Sequence, residues 1–200
     1  MADFKVVIPA RMGSSRFYGK PLALIAGQPM VLRVLERALR SGATEVVVAT
    51  DDARIHQLVA DAGYSAHMTA ESHPSGTDRI AQVAIERGWA DETIVVNVQG
   101  DEPAIDPALI RAVAAHLQQA QDAVMSTAAH PLTTVDDFLN PNMVKVVLNT
   151  AQQALYFSRA PIPYPRDAMR AGDFDYLPPD LPALRHMGIY AYKVGFLKQY

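Results

Sequence analysis

Apolar positions along the first 130 residues alternate between short continuous runs and helical periods. "KVVIPA" and "EVVVATD" read as strands. Between them, "PMVLRVLERALRSG" spaces Val31, Val34, Leu35, Ala38 and Leu39 three and four apart, the stripe of an amphipathic helix, with Gly42 as its C-terminal stop. "DARIHQLVADAG" then predicts a helix, "YSAHMTA" a short strand and "GTDRIAQVAIERG" a helix. "TIVVNVQ" predicts a strand buried on both faces, and "PALIRAVAAHLQQAQ" a further helix.

Strands separated by helices of roughly 10 to 15 residues require crossover connections, which predicts an α/β fold: a Rossmann-like, mostly parallel sheet with helices on both faces. In such sheets ligands bind at the carboxyl ends of the strands, where loops emerge beside helix N-termini. From about Val124 the pattern changes. "AVMSTAAHPL", "NMVKVVLN", "ALYFSRAPIP" and "HMGIYAYKVGF" predict strands with few helices between them, so residues 124–200 are expected to extend the sheet or form a β-rich part of a single domain spanning 1–200. Six of the fourteen prolines lie between Pro161 and Pro182, which predicts an irregular arm there.

Composition narrows the function without choosing it. With 200 residues, half of them apolar, the chain can bury one substantial core. A formal charge of -3 supplies no global field toward nucleic acid or an anionic membrane, so any anion site must be local. There is no cysteine, which removes disulfides and thiolate metal sites and points to a reducing, cytoplasmic setting. The run Val6–Ile8 is too short for a signal segment or a membrane span.

Local sites do stand out. The loop after the first strand carries Arg11, Arg16 and Lys20 among Gly13, Ser14, Ser15 and Gly19. Glycines permit a tight turn with exposed N–H groups, and the three cations supply countercharge for a polyphosphate. The loop is not a Walker motif, because Pro21 stands where Ser or Thr would follow the lysine. "NVQGDEP" sets Asp101 and Glu102 at the end of the most apolar strand. A carboxylate there suits Mg²⁺, a hard ion that keeps waters and bridges phosphate oxygens; Asp101 is the better placed of the two, and Asp106 is the expected cap of the following helix. In "HPSGTDR", Ser75 or Thr77 is expected to cap a helix whose remaining N–H groups face a ligand. In the β-rich part, Arg159, Arg166, Arg185, His186 and Tyr190 are of types that grip a carboxylate or sugar hydroxyls.

Taken in order, "IPARMGSSRFYGKPL", "ATDD", "HPSGTDR", "VNVQGDEP", "NPNMVKVVL", "ALYFSRAPIP" and "RHMGIYAYKVGFLKQY" resemble the 3-deoxy-manno-octulosonate (KDO) cytidylyltransferase family across essentially the whole chain. The resemblance implies that CTP and KDO are converted to CMP-KDO and pyrophosphate, with Mg²⁺ required, in the lipopolysaccharide pathway. It implies a homodimer, with residues 1–123 as the nucleotide-binding part and 124–200 as the sugar-binding and dimer-contact part. By the family's motifs, Arg11, Arg16 and Lys20 lie along the triphosphate and Asp101 holds the metal. The backbone at Ala10 and the Ser75–Gly76 turn read base and ribose, while Gln99, Arg159, His186 and Tyr190 form the sugar-acid pocket. A cytidylyltransferase for another sugar acid, such as sialic acid, and a non-catalytic nucleotide-binding module are the alternatives.

Two departures accompany the resemblance. Proline is usual in the family where Tyr18 stands, so the loop's approach to Lys20 is expected to differ. Family members also continue past the equivalent of Tyr200, into a segment with a second metal-binding aspartate and part of the sugar pocket. A chain ending there is expected to bind CTP with little turnover.

Overall fold

The computed structural model describes residues 3–13, 17–120, 122–170 and 174–199. They group into two compact units, one of residues 1–126 with 189–200 and one of residues 127–188.

In the larger unit the chain runs β1 (Phe4–Ala10), a two-stranded hairpin of β2 (Leu24–Ile25) and β3 (Gln28–Pro29), α1 (Met30–Leu39), β4 (Glu45–Thr50) and α2 (Ala53–Asp61). It continues through β5 (Ser65–Met68), α3 (Gly76–Glu86), β6 (Ile94–Asn97) and α4 (Pro107–Gln119). Strands β5, β4, β1 and β6 lie side by side in that order, each parallel to its neighbours. This is the parallel core the alternation predicts. The helical stripe of α1 is buried at Val31, Val34, Leu35 and Ala38, and Leu39, at the end of the stripe, remains exposed. β6 is buried along its whole length because it has a strand on each side and covered faces.

The smaller unit takes in most of β7 (Met125–Pro131), followed by α5 (Val135–Leu139), β8 (Lys145–Leu148), β9 (Ala154–Ser158) and α6 (Arg166–Arg170). Among its described residues the Pro-rich stretch contains one short helix and is otherwise irregular. Strand β10 (Leu184–Lys193) belongs to both units. Its first half pairs antiparallel with β8, and Tyr190–Lys193 pair antiparallel with β6, so the chain returns to the larger unit and closes with α7 (Val194–Leu197). That pairing is why residues 189–200 group with the N-terminal part rather than with the rest of 124–200. Within the smaller unit Lys145 is fully buried. Its ammonium donates to the Asn140 carbonyl at 3.0 Å, the C-cap of α5, where a helix terminus favours a cation.

One buried ion pair ties three elements of the larger unit together. Arg79 on α3, 3 % exposed, donates to the Asp51 carboxylate at 2.6 Å and also to the Thr69 hydroxyl. Asp51 follows β4 and Thr69 follows β5, so one guanidinium fastens α3 to the ends of two strands. Removing a single partner from a buried pair strands the other charge, and that cost exceeds what the pair itself contributes. Arg79→Met is expected to lower unfolding stability by about 3–5 kcal/mol; urea unfolding of the two proteins measures it.

Candidate active site

Parallel pairing sends the chain out of β1, β4, β5 and β6 at the same edge, and the basic and acidic loops singled out in the sequence leave from that edge. After β1, Met12 turns inward and is nearly buried, and its carbonyl accepts from the Gly19 N–H at 3.1 Å, closing the loop on itself. Gly19 takes the left-handed conformation, φ 73°, that a side chain would resist. A short 3-10 turn, Lys20–Leu22, then begins with the Pro21 ring buried, which fixes the direction of Lys20. Arg11 is exposed at the loop's start. Arg16, with Ser14 and Ser15, lies outside the described residues.

β6 leads into the turn that carries the acid. Here Gly100 is required by contact and not by φ: a Cβ at this position would sit 2.7 Å from the Pro9 carbonyl oxygen on β1. That close approach brings the 99–101 turn against the end of β1, and across it the Lys20 ammonium meets the Asp101 carboxylate at 2.6 Å. The two side chains are 35 % and 50 % exposed, so the pair adds little to stability, about 0–1 kcal/mol. Its significance is positional. A cavity of about 430 Å³ opens beside it, lined by Ala10, Arg11, Phe17, Lys20, Gln99 and Asp101. That size falls in the range of small-molecule sites.

The Ser75–Gly76 turn joins the same edge. Ser75 caps α3 through a reciprocal box with Asp78, its hydroxyl accepting from the Asp78 N–H at 3.3 Å and the Asp78 carboxylate accepting from the Ser75 N–H at 3.1 Å. A Cβ on Gly76 would lie 3.4 Å from the Pro9 ring, so the start of α3 rests on the end of β1, next to Ala10. The cap expected of Asp106 is also present, its carboxylate accepting from the Ala108 N–H at 2.9 Å.

Of the residues carried over for a sugar acid, Gln99 and Tyr190 belong to the larger unit and Arg159 and His186 to the smaller. Gln99 lines the cavity beside Lys20. Tyr190 stands directly opposite Asn97 in the β10–β6 register and stacks on Tyr192 with ring centres 5.9 Å apart. Burial pushes its phenol pKa up. In the smaller unit the His186 ring meets the Thr127 hydroxyl at 2.9 Å and stands T-shaped to Phe157 with ring centres 4.8 Å apart, and burial lowers its pKa. Protonating His186 is therefore harder in the folded protein than in the unfolded chain. Stability is lost as pH falls through and below the ordinary histidine value near 6.5, where the unfolded chain takes up the proton first. Arg159 donates to the Pro141 carbonyl at 2.8 Å. Arg166 pairs with its neighbour Asp167 in an exposed contact, and Arg185 is exposed on β10.

Asn97 escaped the sequence reading. It is 3 % exposed, and its side-chain oxygen has no hydrogen-bond partner among the described residues. An orphaned acceptor of this kind calls for a reason. The available signal was an amide inside the otherwise apolar "TIVVNV". A smaller cavity of about 340 Å³ along α3 and α7 is lined by His73, Gln82, Glu86 and Lys198. Glu86 is engaged there by Gln82 and His67, at 2.7 and 2.6 Å, and no arginine is among the residues that line this cavity.

A cationic turn and a carboxylate facing one cavity at the carboxyl edge of a parallel sheet define an α/β nucleotidyltransferase-like protein. Comparison with known proteins carries the assignment further: the profile of the cytidylyltransferase family matches residues 5–200, and the chain belongs to that family. Its structure is similar to that of CMP:2-keto-3-deoxy-manno-octonic acid synthetase complexed with CTP, with a TM-score of 0.87 and 44 % identity over 99 % of this chain and 77 % of the other. A cytidylyltransferase from Leptospira borgpetersenii serovar Hardjo-bovis shares the fold at 18 % identity, with a TM-score of 0.57 over 100 % of this chain and 63 % of that one.

The Gly100 contact yields a direct test of the site's construction. In Gly100→Ala the added carbon must push the 99–101 turn off Pro9, at a cost of about 1–3 kcal/mol in unfolding stability. CTP affinity is expected to fall in the same variant, because Asp101 moves with the turn; urea unfolding and calorimetric CTP titration report the two effects.

Proposed function

We propose that this cytidylyltransferase activates KDO, transferring CMP from CTP to the sugar acid and releasing pyrophosphate. The observation that carries the reading is the meeting of Lys20 and Asp101 at the mouth of a cavity on the strand edge. The reaction asks a sugar hydroxyl to attack the α-phosphorus. The new P–O bond forms as the bridge to the β-phosphorus breaks, the hydroxyl's proton passes to water, and the departing pyrophosphate gathers negative charge. Little covalent help is needed, so positioning and charge neutralisation dominate.

Arg11 and Lys20 would lie along the triphosphate, with Lys20 neutralising the leaving group, and Arg16 is proposed for the same role. The Ala10 backbone and the Ser75–Gly76 turn are suited to base and ribose. Gln99 and Tyr190, with Arg159 and His186, are proposed for the sugar acid. Its carboxylate matches a guanidinium fork.

Mg²⁺ fits the donor set: Asp101 is a half-exposed carboxylate beside the cavity, and one hard oxygen ligand plus substrate phosphates and waters suffices for this ion. Bound there, it would polarise phosphate oxygens and neutralise charge on them. Since Lys20 occupies the same carboxylate, an incoming triphosphate that attracts Lys20 also releases Asp101.

Three further features belong to this proposal. The edge strand β9 exposes Leu155, Tyr156 and Phe157, an apolar row suited to a second copy of the chain, which supports a homodimer. The absence of cysteine fits the cytoplasm, and lipopolysaccharide assembly is the pathway that uses CMP-KDO. No helix among the described residues is long and apolar enough to cross a membrane.

The test is pyrophosphate release from CTP with KDO, with and without Mg²⁺, and with sialic acid in place of KDO. The expected result is pyrophosphate release, however slow, that needs both KDO and Mg²⁺ and falls at least about 100-fold in Asp101→Asn, the scale on which charge-stabilising groups act. Preference for sialic acid would favour the other sugar-acid specificity, and undiminished turnover in Asp101→Asn would contradict the site.

A further inference from the structure

Tyr18 and the second aspartate of "ATDD" have no part in the site as described, yet the structure joins them. β1 and β4 are parallel neighbours, so the turn after β1 and the start of α2 after β4 emerge side by side. Asp52 caps α2, accepting from the Arg54 N–H at 2.9 Å. It also takes both arms of the Arg54 guanidinium, Nε at 3.0 Å and an Nη at 2.7 Å, a two-pronged grip that fixes the plane of the fork. The guanidinium so held donates at 3.3 Å to the hydroxyl of Tyr18, 36 residues earlier in the chain.

From this geometry we infer that Tyr18 and Arg54 are a positioning pair for the nucleotide-binding turn: Arg54, set by Asp52, holds the outer side of residues 17–20 and thereby aims Lys20. The inner side of the same stretch is already held by Gly19 to Met12 and by the buried Pro21. Gly19 has no side chain to limit rotation about its backbone, and the Tyr18 hydroxyl supplies a further attachment at the residue before it. Tyr18 is 67 % exposed, so packing does little to hold it. The hydrogen bond holds it. The paired aspartates then divide the work, Asp51 fixing α3 through Arg79 and Asp52 fixing the basic turn through Arg54 and Tyr18. Neither Tyr18 nor Arg54 is a catalytic residue in this account; both act through Lys20.

The inference rests on the CTP reading, and a double-mutant cycle with two readouts separates the two. Tyr18→Phe keeps the ring and removes the hydroxyl; Arg54→Met keeps most of the stem and removes the fork. In each single variant CTP affinity and kcat/KM for CTP are expected to fall about threefold, the scale of one exposed charge-assisted hydrogen bond, with kcat nearly unchanged. The double variant is expected to be no weaker than the worse single one. In ligand-free protein, amide exchange of the peptide covering residues 17–22 is expected to quicken by a similar factor in all three, with the urea midpoint unmoved. Effects that multiply in the double variant would overturn the inference, as would a Tyr18→Phe protein whose exchange and CTP affinity both match the parent. A parent protein that binds no CTP but shows the exchange coupling would refute the nucleotide reading and leave the positioning pair standing.

Discussion

The site depends on how closely the end of β1 can approach the turn after β6. Strand pairing alone sets the two backbones about 5 Å apart, and it is Gly100 that lets the turn fold in against the Pro9 carbonyl, where any side-chain carbon would be 2.7 Å from the oxygen. Everything at the edge follows from that contact. Asp101 is the next residue, and its carboxylate reaches Lys20 because the loop from β1 is itself folded back by Gly19 and Met12. Two glycines serve different ends here, one for room and one for a left-handed backbone.

Charge at this edge is arranged for exchange and not for strength. The buried Arg79–Asp51 pair is shut in and holds the scaffold. The exposed Lys20–Asp101 pair holds nothing of the scaffold and costs little to open. That contrast suits the proposed site, in which a polyphosphate would take the lysine and a hard cation the carboxylate in one binding event. A deeply buried pair in the same place would resist both. The molecule's formal charge of -3 leaves the basic turn as a local feature, so in the proposed site attraction of a nucleotide would be a property of the loop and not of the whole surface.

Much of this was legible in the chain because it is local. The parallel core follows from "KVVIPA", "EVVVATD" and "TIVVNV" separated by amphipathic stripes, and the caps at Ser75 and Asp106 follow from residue type and position. Lys20 and Asp101 were legible as loop chemistry at strand ends. What the chain hides is contact across distance. Gly100 reads as a turn glycine until Pro9 is placed beside it, and the link of Tyr18 to Arg54 spans two loops that only strand order makes neighbours. Asn97 looks like one polar interruption in a strand; its orphaned oxygen emerges only once both flanking strands are in place. The return of β10 to pair with β6 was hidden for the same reason, since a strand's partner is a property of topology.

The central claim is that Lys20 and Asp101 serve one ligand. Paramagnetic resonance of Mn²⁺, standing in for Mg²⁺, measures free ion directly as protein is titrated with CTP present. The account predicts that CTP and the ion bind the parent protein together, that Asp101→Asn loses the ion's affinity by about tenfold or more, and that Lys20→Met weakens CTP binding in the same titration. Ion affinity and CTP affinity that vary independently of both substitutions would contradict it.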